Sequence, residues 1–237
     1  MRAGEPVRLS MNDARVSDGI RHAMRLHPQH LTLLPVNSSA GALLAALMVF
    51  HDDDQPSLGP GLRAVMDLLA IAVERAKLLS VLEFQATHDQ LTQLPNRVLY
   101  HRRLEEALTR AVQSGGIVGL LSVDLNGFKR VNDRFGHSVG DALLAGIAKR
   151  LRDGLDLGDT AARLGGDEFA LILTGVQSRF EIHDIALRVQ QSIGAFKLDN
   201  GARVSASIGV ALYPSDAISS DELYRVADAA MYLQKQT

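Results

Sequence analysis

Cysteine is absent from the 237 residues, which excludes a disulfide framework and any thiolate metal site. An excess of charge of one sign is missing too. With 25 Lys and Arg against 27 Asp and Glu, the formal net charge of −2 leaves no footprint for nucleic acid or an anionic membrane surface. No apolar run is long enough to span a bilayer; the longest, Ala40 to Phe50, reads as a core strand. Met1 to Ser10 carries charges and proline and lacks the apolar stretch of a signal peptide. These absences set the expectation of a cytoplasmic protein with no membrane span and no nucleic-acid partner. What is present is ordinary globular material: 46% hydrophobic and 22% charged residues, long enough for one to two domains with ample core.

Arg163-Leu164-Gly165-Gly166-Asp167-Glu168-Phe169 is the most informative run. Two glycines suit a tight hairpin turn, where positive φ or close approach of a phosphate is needed. Two carboxylates follow at once, with strand-like residues on either side. Carboxylates at such a turn are either solvated or bind a cation.

Val118 to Val123 suits a buried strand and runs into Asp124-Leu125-Asn126-Gly127-Phe128-Lys129. Asn132-Asp133, Gly136-His137 and Gly140-Asp141 follow. An Asp closing a buried strand, beside a Gly-Asp hairpin, can put two carboxylates side by side. Mg²⁺ (or Mn²⁺) favours that setting, with water and substrate phosphate as its remaining ligands. The layout is that of a palm performing metal-dependent nucleotidyl transfer. Two metals there would activate a ribose 3′-hydroxyl and stabilise a pyrophosphate leaving group.

Five pieces in order resemble a GGDEF domain: Asp89-x-Leu91-Thr92-x-Leu94-Pro95-Asn96-Arg97; Asp124 through Lys129, Asn132, Gly136-His137 and Gly140-Asp141; Arg163 to Phe169; Ser207-Ile208-Gly209; and Ala227-Asp228-x-Ala230-Met231-Tyr232-x-x-Lys235. The resemblance implies an α+β, palm-like fold with a ferredoxin-like core, and a diguanylate cyclase that makes cyclic di-GMP from two GTP as a homodimer of half-sites. The alternative is a non-catalytic GTP-binding or protein-interaction module of the same family.

Carried over by position, the resemblance makes Asp124, the Leu125 carbonyl and Asp167 metal ligands. Asp167 would assist deprotonation of the 3′-hydroxyl, with Glu168 beside it in a catalytic, positioning role. Backbone N–H groups at Gly127 and Phe128 would hold phosphate oxygens, and Lys235 would neutralise phosphate charge. Gly165 and Gly166 would let the nucleotide lie close. Asn132 and Asp141 would read guanine, whose N1–H and N2–H offer a donor pair that adenine lacks. Leu144 would line the base pocket or pack in the core. Arg163 suits a phosphate or a surface salt bridge equally, His137 reads as structural, and Met231 and Tyr232 read as core.

The chain divides into three: a segment over 1–61, a linking helix over 62–85, and the GGDEF domain over 86–237. In the first, Val16 to Leu26 has some helical spacing. Leu31 to Val36 and Gly41 to Phe50 flank a turn and predict a β-hairpin, with a buried helix as the alternative for the second run. His51 to Pro56 reads as a solvated acidic loop in preference to a metal site. Leu62, Met66, Leu69, Val73 and Ala76 have the spacing of a coiled-coil seam or of an ordinary amphipathic helix. Together these elements resemble the C-terminal half of a GAF sensory domain, a partial GAF-like α/β segment.

Three departures from the family pattern carry expectations. Asp156 stands where many members have the arginine of an inhibitory Arg-x-x-Asp motif, so product inhibition should be weak. Gln93 replaces a usual glycine. The chain ends two residues after Lys235, where the family continues through Gly-Arg-Asn, so phosphate binding should be weaker.

Overall fold

The computed structural model describes residues 6–10, 13, 16–17, 28–38, 40–52 and 60–236. They form two compact units, Met1–Glu83 and Phe84–Thr237.

In the first unit, strands β1 (Val7–Ser10), β2 (His30–Asn37) and β3 (Leu43–His51) form an antiparallel sheet in the order β1-β2-β3. The second apolar run is therefore a strand, but not a core one, since Leu43 and Met48 on it are exposed. The turn at Ser38 to Ala42, closed by the Ser38 and Gly41 backbone bonds and the Ser38 hydroxyl, folds it back on β2. Leu9, Val16 and Leu31 form its small core. The helical spacing noted over Val16 to Leu26 and most of the acidic loop fall outside the described residues. Helix α1 (Pro60–Thr87) begins in this unit and crosses its boundary. Leu62, Met66 and Val73 are half-buried, whereas Leu69 and Ala76 are exposed, as are Leu78, Leu79 and Leu82 further along.

The second unit is a palm-like α+β fold on a four-stranded antiparallel sheet. Its strands are β4 (Val118–Asn126), β5 (Thr160–Gly165), β6 (Glu168–Thr174) and β7 (Ser205–Tyr213), in the order β5-β6-β4-β7. Both faces are covered. Helices α4 (His137–Asp153) and α5 (Arg179–Ala195) pack on one side around Leu121, Val123, Ile147 and Phe169. Helices α2 (Arg97–Ser114) and α6 (Ser220–Gln236) pack on the other around Tyr100, Leu104, Leu120 and Leu223. A central strand covered on both faces has no polar alternation, which is why β4 is almost wholly apolar until Asp124.

Local chemistry sets the boundaries. The Asn96 side chain caps α2 by accepting the Val98 and Leu99 N–H groups at 2.9 and 3.2 Å, while its amide donates to the Ala86 carbonyl. Helix α4 begins at His137, ahead of its first buried residue, Gly140. Gly136 (φ 86°) turns the chain directly out of the short helix α3 (Phe128–Phe135), so Gly140 and Asp141 lie inside α4. His137 thus opens the helix and is exposed. Met231 is buried, but Tyr232 is exposed and is not a core residue, because it falls on the far side of α6 from Leu223 and Ala227. No helix among the described residues is long and apolar enough to cross a membrane.

Candidate active site

The sheet brings the two acidic motifs together. In the register of the antiparallel ladders, Asp124 at the end of β4 lies between Glu168 of β6 and Ser207 of β7. A register shift between Arg163 and Gly165 loosens the β5–β6 corner, with Gly165 at φ 152° and Gly166 at φ 50°. The Asp167 carbonyl then accepts the Leu125 N–H at 3.2 Å, which ties the hairpin to the end of β4.

Asp124 is 7% exposed, and its Oδ1 accepts a 2.7 Å hydrogen bond from Lys235 Nζ. That hydrogen bond holds the lysine above its ordinary value of 10.5, against the cost of burial; the charges of Asp124, Asp167 and Glu168 add to it. One ammonium therefore feels all three carboxylates. Helix α6 delivers it because Gly209 leaves no room for anything larger than hydrogen. A Cβ there would sit 1.9 Å from the Ala227 carbonyl oxygen and 2.3 Å from Met231 N. Gln234, the neighbour of Lys235, accepts the Ile208 N–H with its side chain and fixes the helix end on β7.

The hairpin is braced from a third direction. Arg163 donates from Nε and Nη2 to the Gly166 carbonyl at 3.1 and 2.8 Å, and from Nη1 to Asp89 Oδ1 at 2.9 Å. Asp89 Oδ1 also accepts the Thr92 N–H and hydroxyl. Of the two roles open to Arg163, the structure shows the salt bridge, with a side chain only 12% exposed. Burial pushes the Asp89 carboxyl up, but the hydrogen bonds from Thr92 and then Arg163 outweigh it and leave it below its usual value.

Asn132 and Asp141 lie on successive helices. Asn132 Oδ1 is buried with no hydrogen-bond partner among the described residues, an orphaned acceptor facing Gly140. A Cβ on Gly140 would stand 1.9 Å from that oxygen, so only glycine lets α4 close on α3 here. Asp141, the next residue, is exposed. Gly127 (φ 81°) precedes α3 and, with Phe128, presents the first N–H groups of that helix. Leu144 is 1% exposed within the core cluster.

Sequence reasoning missed two contacts. Asn126 Nδ2 donates to Ser207 Oγ at 2.9 Å, locking β4 to β7 just below Asp124. Arg97 Nη2 lies 3.7 Å from Glu168 Oε2. Both arginine and serine sit inside motifs that were recognised, but nothing in those motifs tells which strand or turn they face. In the Asp156–Asp159 segment, Asp159 accepts the Thr174 N–H at 2.8 Å and is pushed up by burial, while Asp156 is exposed.

Asp124, Asp167 and the Leu125 carbonyl would offer a hard divalent cation oxygen donors alone, the type such a cation takes. No group of three or more His, Asp or Glu side chains among the described residues is placed to hold a metal ion by itself.

The family described as "Diguanylate cyclase, GGDEF domain" matches residues 86–237. The chain belongs to that family. The GGDEF chain is 43% identical over 158 residues to the diguanylate cyclase TpbB of Pseudomonas aeruginosa, covering 65% of this chain and 36% of TpbB. It thus spans about a third of that relative's length. Among solved structures, a sensory box/GGDEF family protein from Caulobacter crescentus is 36% identical with a TM-score of 0.60, covering 63% of this chain and 98% of that one. The coiled coil and GGDEF domain of DgcB from Caulobacter crescentus, solved with c-di-GMP, is 26% identical with a TM-score of 0.65, covering 74% and 95%.

Proposed function

We propose that the chain is a diguanylate cyclase: it condenses two GTP into cyclic di-GMP and releases pyrophosphate, working as a homodimer in which each protomer supplies one half-site. The observation that carries this reading is the Lys235 Nζ–Asp124 Oδ1 contact at the hairpin, where the ladder sets Glu168 opposite Asp124 and the Asp167 carbonyl accepts the Leu125 N–H.

In this reading Asp124, the Leu125 carbonyl and Asp167 hold Mg²⁺ or Mn²⁺. Bound there, the cation lowers the pKa of the 3′-hydroxyl and neutralises charge on the phosphates. Asp167, directly or through a water, takes the hydroxyl proton. Glu168 positions the cation and substrate, and Lys235 moves from Asp124 to a phosphate oxygen. The N–H groups of Gly127 and Phe128 at the start of α3 hold phosphate oxygens. Gly165 and Gly166 give the nucleotide a surface without side chains. Asp141 accepts the N1–H and N2–H of guanine, and the orphaned Asn132 Oδ1 takes a donor from the same base. Leu144 supports that pocket from the core. Each 3′-hydroxyl attacks the α-phosphate of the GTP on the opposite protomer, so pairing of protomers controls the rate.

Residues 86–237 form the cyclase domain, 62–85 a signalling helix that pairs protomers, and 1–61 a partial GAF-like sensory segment, in a cytoplasmic protein. The exposed Leu78, Leu79 and Leu82 of α1 suit such pairing. Asp156, exposed and negative, leaves product inhibition weak; inhibition by low added cyclic di-GMP would contradict this. The activity itself is tested by replacing Asp167 with Ala. A cyclase loses GTP turnover, whereas a binding module has no turnover to lose and keeps its GTP affinity.

A further inference from the structure

A cleft of about 600 Å³ opens beside Gly127 and Asn126, on the far side of α3 from Asn132 and Asp141. One wall carries Arg130 and Arg134, four residues apart on the same face of α3. The other carries Arg203. A turn at Leu198 to Ala202, closed by the Gly201 N–H to Leu198 carbonyl bond at 2.8 Å, fixes that wall. Ala202 and Val204 are buried, so alternation turns Arg203 outward into the cleft. Phe135 completes the lining, with the Arg134 guanidinium 5.0 Å above its ring. Among the described residues no carboxylate lines this cleft.

Arg130 joins the cleft to the substrate site. Its Nη2 and Nε lie 3.0 and 3.4 Å from where a Cβ on Gly127 would stand. The guanidinium therefore rests on the glycine whose N–H opens α3. Three guanidinium groups without a lining acid form a site for a multiply charged anion, and guanidinium pairs bidentately with phosphate.

We infer that this cleft is a polyphosphate subsite. It takes the outer phosphates of the bound nucleotide and then the pyrophosphate that leaves, with Arg130 and Arg203 as positioning residues on opposite walls. The inference rests on the nucleotide reading given above and extends it to residues outside the family motifs.

The test is calorimetric titration of the protein with pyrophosphate in the presence of Mg²⁺, with GMP as the probe that lacks outer phosphates. Arg130→Met and Arg203→Glu are compared with the wild type, and thermal melts check that both fold. The expected result is a pyrophosphate affinity lowered at least about tenfold in each variant, unchanged GMP binding, and competition between pyrophosphate and GTP in the wild type. Equal pyrophosphate affinity in wild type and Arg203→Glu, or pyrophosphate binding that GTP does not displace, overturns the subsite. Because these readouts need no turnover, a protein that binds as expected but makes no cyclic di-GMP would refute the proposed activity alone.

Discussion

Lys235 Nζ lies 2.7 Å from Asp124 Oδ1, placing the last cation of α6 on the carboxylate that closes β4. The lysine's folded pKa is raised above 10.5, first by that hydrogen bond. A raised lysine contributes stability that is complete below its unfolded value and is lost as pH climbs through the folded one. The alkaline limb of the stability curve, from about pH 10 upward, should therefore steepen in the wild type and flatten in Lys235→Met. Thermal melts across that range check it. Identical alkaline limbs would mean the contact is absent in solution.

Gln93 adopts φ 59°, a left-handed conformation, in the turn between α1 and α2. Its side chain donates to the Gln90 carbonyl at 2.7 Å, a weak local compensation. Left-handed geometry costs a non-glycine residue about 1–2 kcal/mol. Gln93→Gly should stabilise the protein by about 0.5–1 kcal/mol after the glycine's larger unfolded entropy is counted. Chemical denaturation measures it; a less stable glycine variant would show that the side-chain bond outweighs the strain.

The apolar runs made part of the sheet legible: β4 and the glycine hairpin lie where their apolar residues and turn glycines indicate. The hairpin of β2 and β3 followed from its turn, although Ala and Leu left its second run open between strand and helix. Other features needed three dimensions. The start of α4 depends on Gly136 turning the chain without a linker, which apolar spacing does not reveal. Tyr232 follows a buried Met231, and only the rotation of α6 on β7 decides which of the two faces out. Arg163 was open between two partners because Asp89 is 74 residues away in sequence. The basic cleft is invisible in the chain, since only the fold brings Arg203 and Arg130 to opposite walls of one cleft.

Gly140→Ala should lower affinity for GTP. Its Cβ would overlap Asn132 Oδ1 and stand 3.2 Å from Phe128 Cζ. Relief requires moving Asn132 or parting the two helices, at about 1–3 kcal/mol of stability. The expected kinetic signature is a raised KM for GTP, with guanine selectivity over ATP reduced. Unchanged KM would separate Asn132 from base binding.

Asp89→Ala and Arg163→Ala should each destabilise the hairpin, and their double variant should cost less than the sum. The salt bridge is only partly exposed and shares Asp89 with Thr92, so a coupling of about 1–2 kcal/mol is expected from a double-mutant cycle. Asp89's lowered pKa places this contribution above its unfolded value of 3.8, and it is lost as pH falls below that value. Additive effects would mean the two residues act independently.

The central claim is that one protein surface, repeated across a homodimer, joins two GTP molecules. Incubating the purified chain with GTP and Mg²⁺, and quantifying cyclic di-GMP by mass spectrometry beside released pyrophosphate, tests it most directly. The account predicts two pyrophosphates for every cyclic di-GMP, and neither product from Asp124→Ala or Asp167→Ala. GTP that stays bound and intact under the same conditions would contradict it.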